Sequence, residues 1–199
     1  MSDIILNPIV SSDNPMKAGC ECYFCLICKD TNLEDKALMD QYFSPGNIVA
    51  NSPDKELPVY PSLDNVIRDT IEATFNPDID KTMHFDLGDV DDLHIFKAKL
   101  LVDANSTATG LVFTVNACQI LEKLDMVPIR TEMRLKAIKY GKTIDPDAMS
   151  ASEKQKYDQS GITDLVRSIR AGENPDFSKY LTDEDIQNHP ELQDTDSPH

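Results

Sequence analysis

The chain of 199 residues has no tryptophan and only seven glycines. Closed, loop-rich β architectures need many tight turns, and glycine is the residue that makes them without steric cost, so this scarcity argues against a β-barrel. Long apolar runs are missing too. None approaches the roughly 20 residues that span a bilayer. The opening "MSDIILNPIVSSDNP" lacks the basic stretch and apolar core of a secretory signal. Without export, five cysteines, an odd number, point to reduced thiols in a cytoplasmic or other intracellular setting, or inside a viral particle.

Positive charge is also scarce. Nineteen Lys and Arg stand against 35 Asp and Glu, for a formal net charge of −16. Binding to nucleic acid requires a surface that displaces counterions from phosphates, and the sign here is wrong; an acidic membrane surface would repel the chain as well. Such a charge serves solubility, offers an acidic face to a basic protein, or imitates nucleic acid. The sequence holds no G-x-S-x-G, H-E-x-x-H, G-x-x-x-x-G-K-[ST] or G-x-G-x-x-G, and no cysteine with a local His and Asn signature. These gaps lower the expectation of an enzyme.

What is present is a clustering of thiols. In "GCECYFCLICKD" Cys20, Cys22, Cys25 and Cys28 fall close together. The C-x-x-C-x-x-C spacing allows thiolates to converge on a zinc ion or an iron–sulfur cluster. Against that, all four lie on one short segment. The spacers are Tyr-Phe and Leu-Ile rather than small polar residues, and no Cys-Pro follows. Read as a helix at about 100° per residue, Cys22, Cys25 and Cys28 spread over about 120° and act as small apolar residues. Thiol chemistry, as a redox pair or an acylation site, is the third possibility.

Periodicity predicts a mainly α domain, with α+β through one hairpin as the variant. Asn14-Pro15 reads as a helix entry, with Met16, Cys20, Tyr23, Phe24 and Ile27 on one face. "TNLEDKALMDQYF" reads as a helix with a capping box of Thr31 and Glu34, ended by Ser44-Pro45-Gly46. Four prolines between residues 44 and 61 predict a meandering connection. "SLDNVIRDTIEATFNP" is the clearest helix, capped by Ser62 and stopped at Asn76-Pro77. Residues 82–104 alternate like a hairpin turning at Gly88-Asp89, although a helix can also be drawn through Leu93, Phe96 and Leu100. "STATGLVFTVNACQILEKLD" is apolar on nearly every side, as a central buried helix would be, while Val-Phe-Thr-Val leans towards strand.

Pro128 breaks the chain. "IRTEMRLKAIKYGK" then predicts a basic helix closed by Gly141. Arg130, Arg134, Lys136, Lys139 and Lys142 supply five of the 19 cations with Glu132 the only acid among them, which makes this helix a candidate surface for an acidic partner. His84 and His94 flank Asp86, Asp89, Asp91 and Asp92, but the EF-hand pattern fails, and a solvated turn is the simpler reading. "ITDLVRSIR" is a short amphipathic helix closing at Gly172. Residues 1–172 are thus expected to form one helix-dominated domain. Residues 173–199, with eight acids and one lysine, form an acidic tail, partly docked or disordered.

The functional expectation is a non-enzymatic interaction or assembly subunit of a larger complex, cellular or viral, with protein partners or copies of itself. The alternatives are a small metalloprotein organised by the four cysteines and an acidic inhibitor that imitates nucleic acid.

Overall fold

The computed structural model describes residues 16–29, 31–50, 56–79, 84–107 and 111–172. The expected helix entry at Asn14-Pro15 and the acidic tail lie outside them. The described residues group into two compact units, one comprising the chain to Val66 with Asp92–Leu124, the other Ile67–Asp91 with the chain from Asp125.

The first unit is built from strands. β1 (Glu21–Ile27), β4 (Leu93–Leu100), β7 (Ala117–Lys123) and β2 (Ile48–Ala50) form an antiparallel sheet in the order β1-β4-β7-β2. β3 (Leu57–Val59), β6 (Phe113–Val115) and β5 (Asn105–Ser106) form a second, in the order β3-β6-β5. A pair of backbone hydrogen bonds between Tyr23 and Tyr60, 2.8 and 2.7 Å long, extends the edge of β1. The registers Cys22↔Ala98↔Ile120 and Leu100↔Cys118 put one face of the large sheet into a single buried cluster, completed by Val59, Phe113 and Val115 of the small sheet. A β-bulge between Lys97 and Ala98 shifts the pairing of β4 with β7. α1 (Leu33–Tyr42) links β1 to β2.

The second unit carries most of α2 (Leu63–Phe75), with α3 (Met126–Thr143), α4 (Ala151–Gln159) and α5 (Ile162–Arg170). α3 starts at an Asp125 cap, whose side chain accepts from Val127 N, so Pro128 falls in the first turn, where a missing N–H costs nothing. Gly141 lies inside α3 rather than closing it. A Cβ there would stand 2.7 Å from Ile169 Cδ1 and 3.4 Å from Phe75 Cε1, so glycine is what lets α5 and α2 approach α3. Ser150 and Glu153 form a capping box that starts α4, a helix that its polar sequence does not suggest.

The mainly α expectation is corrected by the two antiparallel sheets: 43% of the described residues are helical and 24% in strand, so the protein is mixed α/β. Three segments account for most of the difference, one of them the expected meandering connection over 44–61, which carries β2 and β3. "ECYFCLI" is β1, and the central "buried helix" is β6 and β7. β1 buries Cys22 and Phe24 on one face and Cys25 on the other, which removes the alternation that marks a strand. In β7, Cys118 and Ile120 are buried while Leu121 is 39% exposed. Of the expected hairpin over 82–104, the second arm is β4; residues 84–92 contain no strand, and residues 82 and 83 lie outside the described residues.

Candidate functional site: an apolar groove beside helix α1

β1 ends by placing Leu26 on the core side and Ile27, 42% exposed, on the other. The chain then holds to β4: Cys28 N donates to Asp92 O at 2.8 Å, and His94 Nε2 lies 3.2 Å from Cys28 O. Asn32, not Thr31, caps α1, its Oδ1 accepting from Asp35 N at 3.2 Å. The acids Glu34 and Asp35 in the first turn face the positive end of the helix dipole.

α1 is poorly packed for a helix of a folded chain. Of its ten residues only Met39 is buried. Its C-cap Phe43 fastens the end, with its ring centroid 6.0 Å from that of Phe24 and 5.7 Å from that of Phe96. Leu38 and Tyr42 remain 49% and 59% exposed. Helices shorter than about 12 residues are marginal in water unless an apolar face is packed. Between α1 and the end of β1 lies an open groove of about 250 Å³, lined by Leu26, Ile27, Leu38, Met39, Tyr42 and Phe43, together with Cys28 and Asp35.

The four clustered cysteines do not converge. Cys20 is exposed ahead of β1, and Cys22 is fully buried in the core cluster. Cys25 points to the opposite face of the sheet, as an odd spacing on a strand requires. Cys28 follows the strand and touches the groove. Burial pushes the Cys22 thiol up to about 12, with lesser contributions from the charges of Cys118 and Cys20; burial likewise pushes Cys118 up to about 11. Thiols so held are neutral, whereas metal ligation and nucleophilic attack use the thiolate. Among the described residues no group of three or more His, Cys, Asp or Glu side chains is placed to hold a metal ion.

The five cations of α3 also part company. Lys136, Lys139 and Lys142 are exposed, with Lys136 paired to Glu132 at 2.7 Å. Arg130 is half-buried, and Arg134 is only 3% exposed. Arg134 Nη2 donates to Asp91 Oδ1 at 2.7 Å, so this cation holds its own unit together and presents no free charge to a partner. His84, one of the two histidines flanking the acidic run, sets Nδ1 at 2.9 Å from both oxygens of buried Asp69. Glu72, one turn on, is held above the usual carboxylate range first by burial and then by the Asp69 charge.

Sequence reasoning passes over the groove. The i, i+3, i+4, i+7 set Asp35, Leu38, Met39 and Tyr42 is visible as helix period, but which apolar residues stay uncovered depends on the tertiary fold.

The fold is that of a mixed α/β protein with two antiparallel sheets and an exposed apolar groove, and among the described residues no helix is long and apolar enough to cross a membrane. Comparison with protein-family models, with curated proteins and with solved structures finds no match.

Proposed function

We propose that this protein is a non-enzymatic interaction or assembly subunit whose partner covers the groove beside α1. The observation that carries the reading is the unpacked helix: ten residues, one of them buried, with Leu38 and Tyr42 about half exposed. Full burial of a large apolar side chain is worth about 1.5–3 kcal/mol, so covering the exposed halves of these two contributes about 1 kcal/mol each and stabilises a helix that the chain itself barely supports. A net charge of −16 keeps the free protein soluble despite the patch.

The test compares the tagged full chain with a Leu38→Glu, Tyr42→Lys double variant. The new pair sits at i, i+4 with the acid first, which favours the helix while destroying the apolar patch. Both are used to retrieve stoichiometric partners from the native cell extract, with quantitation by mass spectrometry and sedimentation of what is retrieved. The reading expects a stoichiometric partner, or a larger assembly of this chain, for the wild type and its loss for the variant. Identical retrieval by both, or a wild type that stays a lone monomer at every salt concentration, contradicts it.

A further inference from the structure

Helical residues three and four apart share a face, so Asp35, Leu38, Met39 and Tyr42 form one stripe along α1. Met39 is buried, and Leu38 and Tyr42 are apolar and exposed. Asp35 is the exception: a carboxylate in the apolar stripe, lining the same groove. It is held in place by Asn32, whose Nδ2 donates to Asp35 Oδ2 at 2.5 Å. The lining contains no lysine or arginine. A partner that covers Leu38 and Tyr42 also takes water from Asp35, and a carboxylate covered without a counter-charge carries a heavy desolvation penalty. The groove therefore discriminates: it favours an occupant that brings a cation to Asp35.

We propose that the groove receives an amphipathic helix of a partner protein, with a lysine or arginine set beside its apolar stripe. This deepens the interaction reading above and rests on it. Three alternative occupants fit the charge less well. Two copies of α1 packed face to face would cover two Asp35 carboxylates, and the only cation of α1, Lys36, lies off the stripe. Residues 1–15 carry Asp3 and Asp13 and no lysine or arginine. Residues 173–199 carry eight acids and one lysine. A helix fits the shape because the stripe extends for about 10 Å or two turns, and ridges of side chains at i±3 and i±4 interdigitate with those of a second helix. A basic side chain suits the position twice over, since its aliphatic stem lies on Leu38 or Tyr42 while its head reaches the carboxylate.

The experiment is a selection on the full chain from a displayed library of helix-forming peptides with a fixed leucine stripe and flanks randomised over Lys, Gln and Glu, counter-selected on Leu38→Gln, which removes the apolar contact and leaves the charge of the groove unchanged. Enriched peptides are expected to place Lys within a turn of the stripe. One of them, made synthetically, should bind Asp35→Asn about tenfold more weakly than wild type, the scale of one well-placed charge pair, and should weaken with salt. Asp35→Asn keeps the backbone N–H that Asn32 caps, and circular dichroism of both variants checks that they are folded. Enriched peptides without lysine, or equal binding to Asp35→Asn, overturn the basic-helix inference while the interaction reading stands on its retrieval test. If no peptide distinguishes wild type from Leu38→Gln, the groove is not a docking site for helices, and the inference fails outright. A wild-type dimer that Leu38→Gln dissociates makes a second copy the occupant and overturns the inference as well.

Discussion

Raising the pH should destabilise the first unit by forcing charge onto two buried thiols. Cys22 and Cys118 are fully buried in one cluster, with pKa values raised from 9.0 to about 12 and about 11. The unfolded chain ionises both above pH 9, whereas the folded chain keeps them neutral. The stability that neutrality confers is therefore complete below pH 9 and is lost as pH rises towards about 11 for Cys118 and about 12 for Cys22. At about pH 10 each thiol costs about 1.4 kcal/mol relative to about pH 8, so the pair costs on the order of 3 kcal/mol. That is a large fraction of the roughly 5–15 kcal/mol that typically holds a domain together. The assay is urea unfolding of wild type and of the double variant Cys22→Ala, Cys118→Ala at about pH 8 and about pH 10, under reducing conditions. The double variant starts less stable because it leaves small cavities, but its loss between the two pH values should be smaller than that of wild type by about 3 kcal/mol. Equal losses for the two proteins would mean that these thiols do not sit in a dry core.

Thiol counting without denaturant should give one fast equivalent, from Cys20, which disappears in Cys20→Ser; five appear once the chain is unfolded, since the other four cysteines are buried. Gly141→Val should destabilise the second unit by about 1–3 kcal/mol, through the 2.7 Å approach of any Cβ to Ile169, and Ile169→Ala in the same chain should recover part of the steric share. The check is the urea midpoint of the single and double variants. Asn32→Ala should cost α1 about 1 kcal/mol by removing its cap, read as faster amide exchange in Leu33–Tyr42 with β4 unchanged.

Helices that stand on their own periodicity are legible in the sequence. The stripe of α2 identifies it, with Ser62 at its start, where Ser62 Oγ accepts from Asn65 N at 3.2 Å. α1 and α5 are legible for the same reason, with the cap of α1 displaced by one residue to Asn32. β4 is legible as the second arm of the expected hairpin although both its faces are buried, whereas β1, also buried on both faces, and β7, buried on one, are not. The strand that decides the fate of both β1 and β7 is β4, which lies far from β1 along the chain, and an apolar run of that length fits a buried helix equally well. The β propensity of Phe113, Thr114 and Val115 is a correct local sign of β6, but it is too short to outweigh the apolar run that follows. The cysteine spacing invites a converging ligand set when read along one dimension; a strand sends Cys22 and Cys25 to opposite faces. Arg134 looks like one cation among five in the sequence, and only the fold brings Asp91 to it. The groove is out of reach for the same reason, since exposure of Leu38 and Tyr42 is a property of what fails to pack on α1.

Amide hydrogen exchange reads out whether a partner completes α1. In the purified chain the amides of residues 38–43 should exchange orders of magnitude faster than those of β4, because a short helix with one buried residue opens at little cost. In the complex retrieved from the native extract the same amides should slow by at least about tenfold, while those of α5 stay as they were. Amides of α1 that are as protected as β4 in the purified chain, or that exchange at the same rate with and without the retrieved partner, would show that α1 needs no partner to complete it.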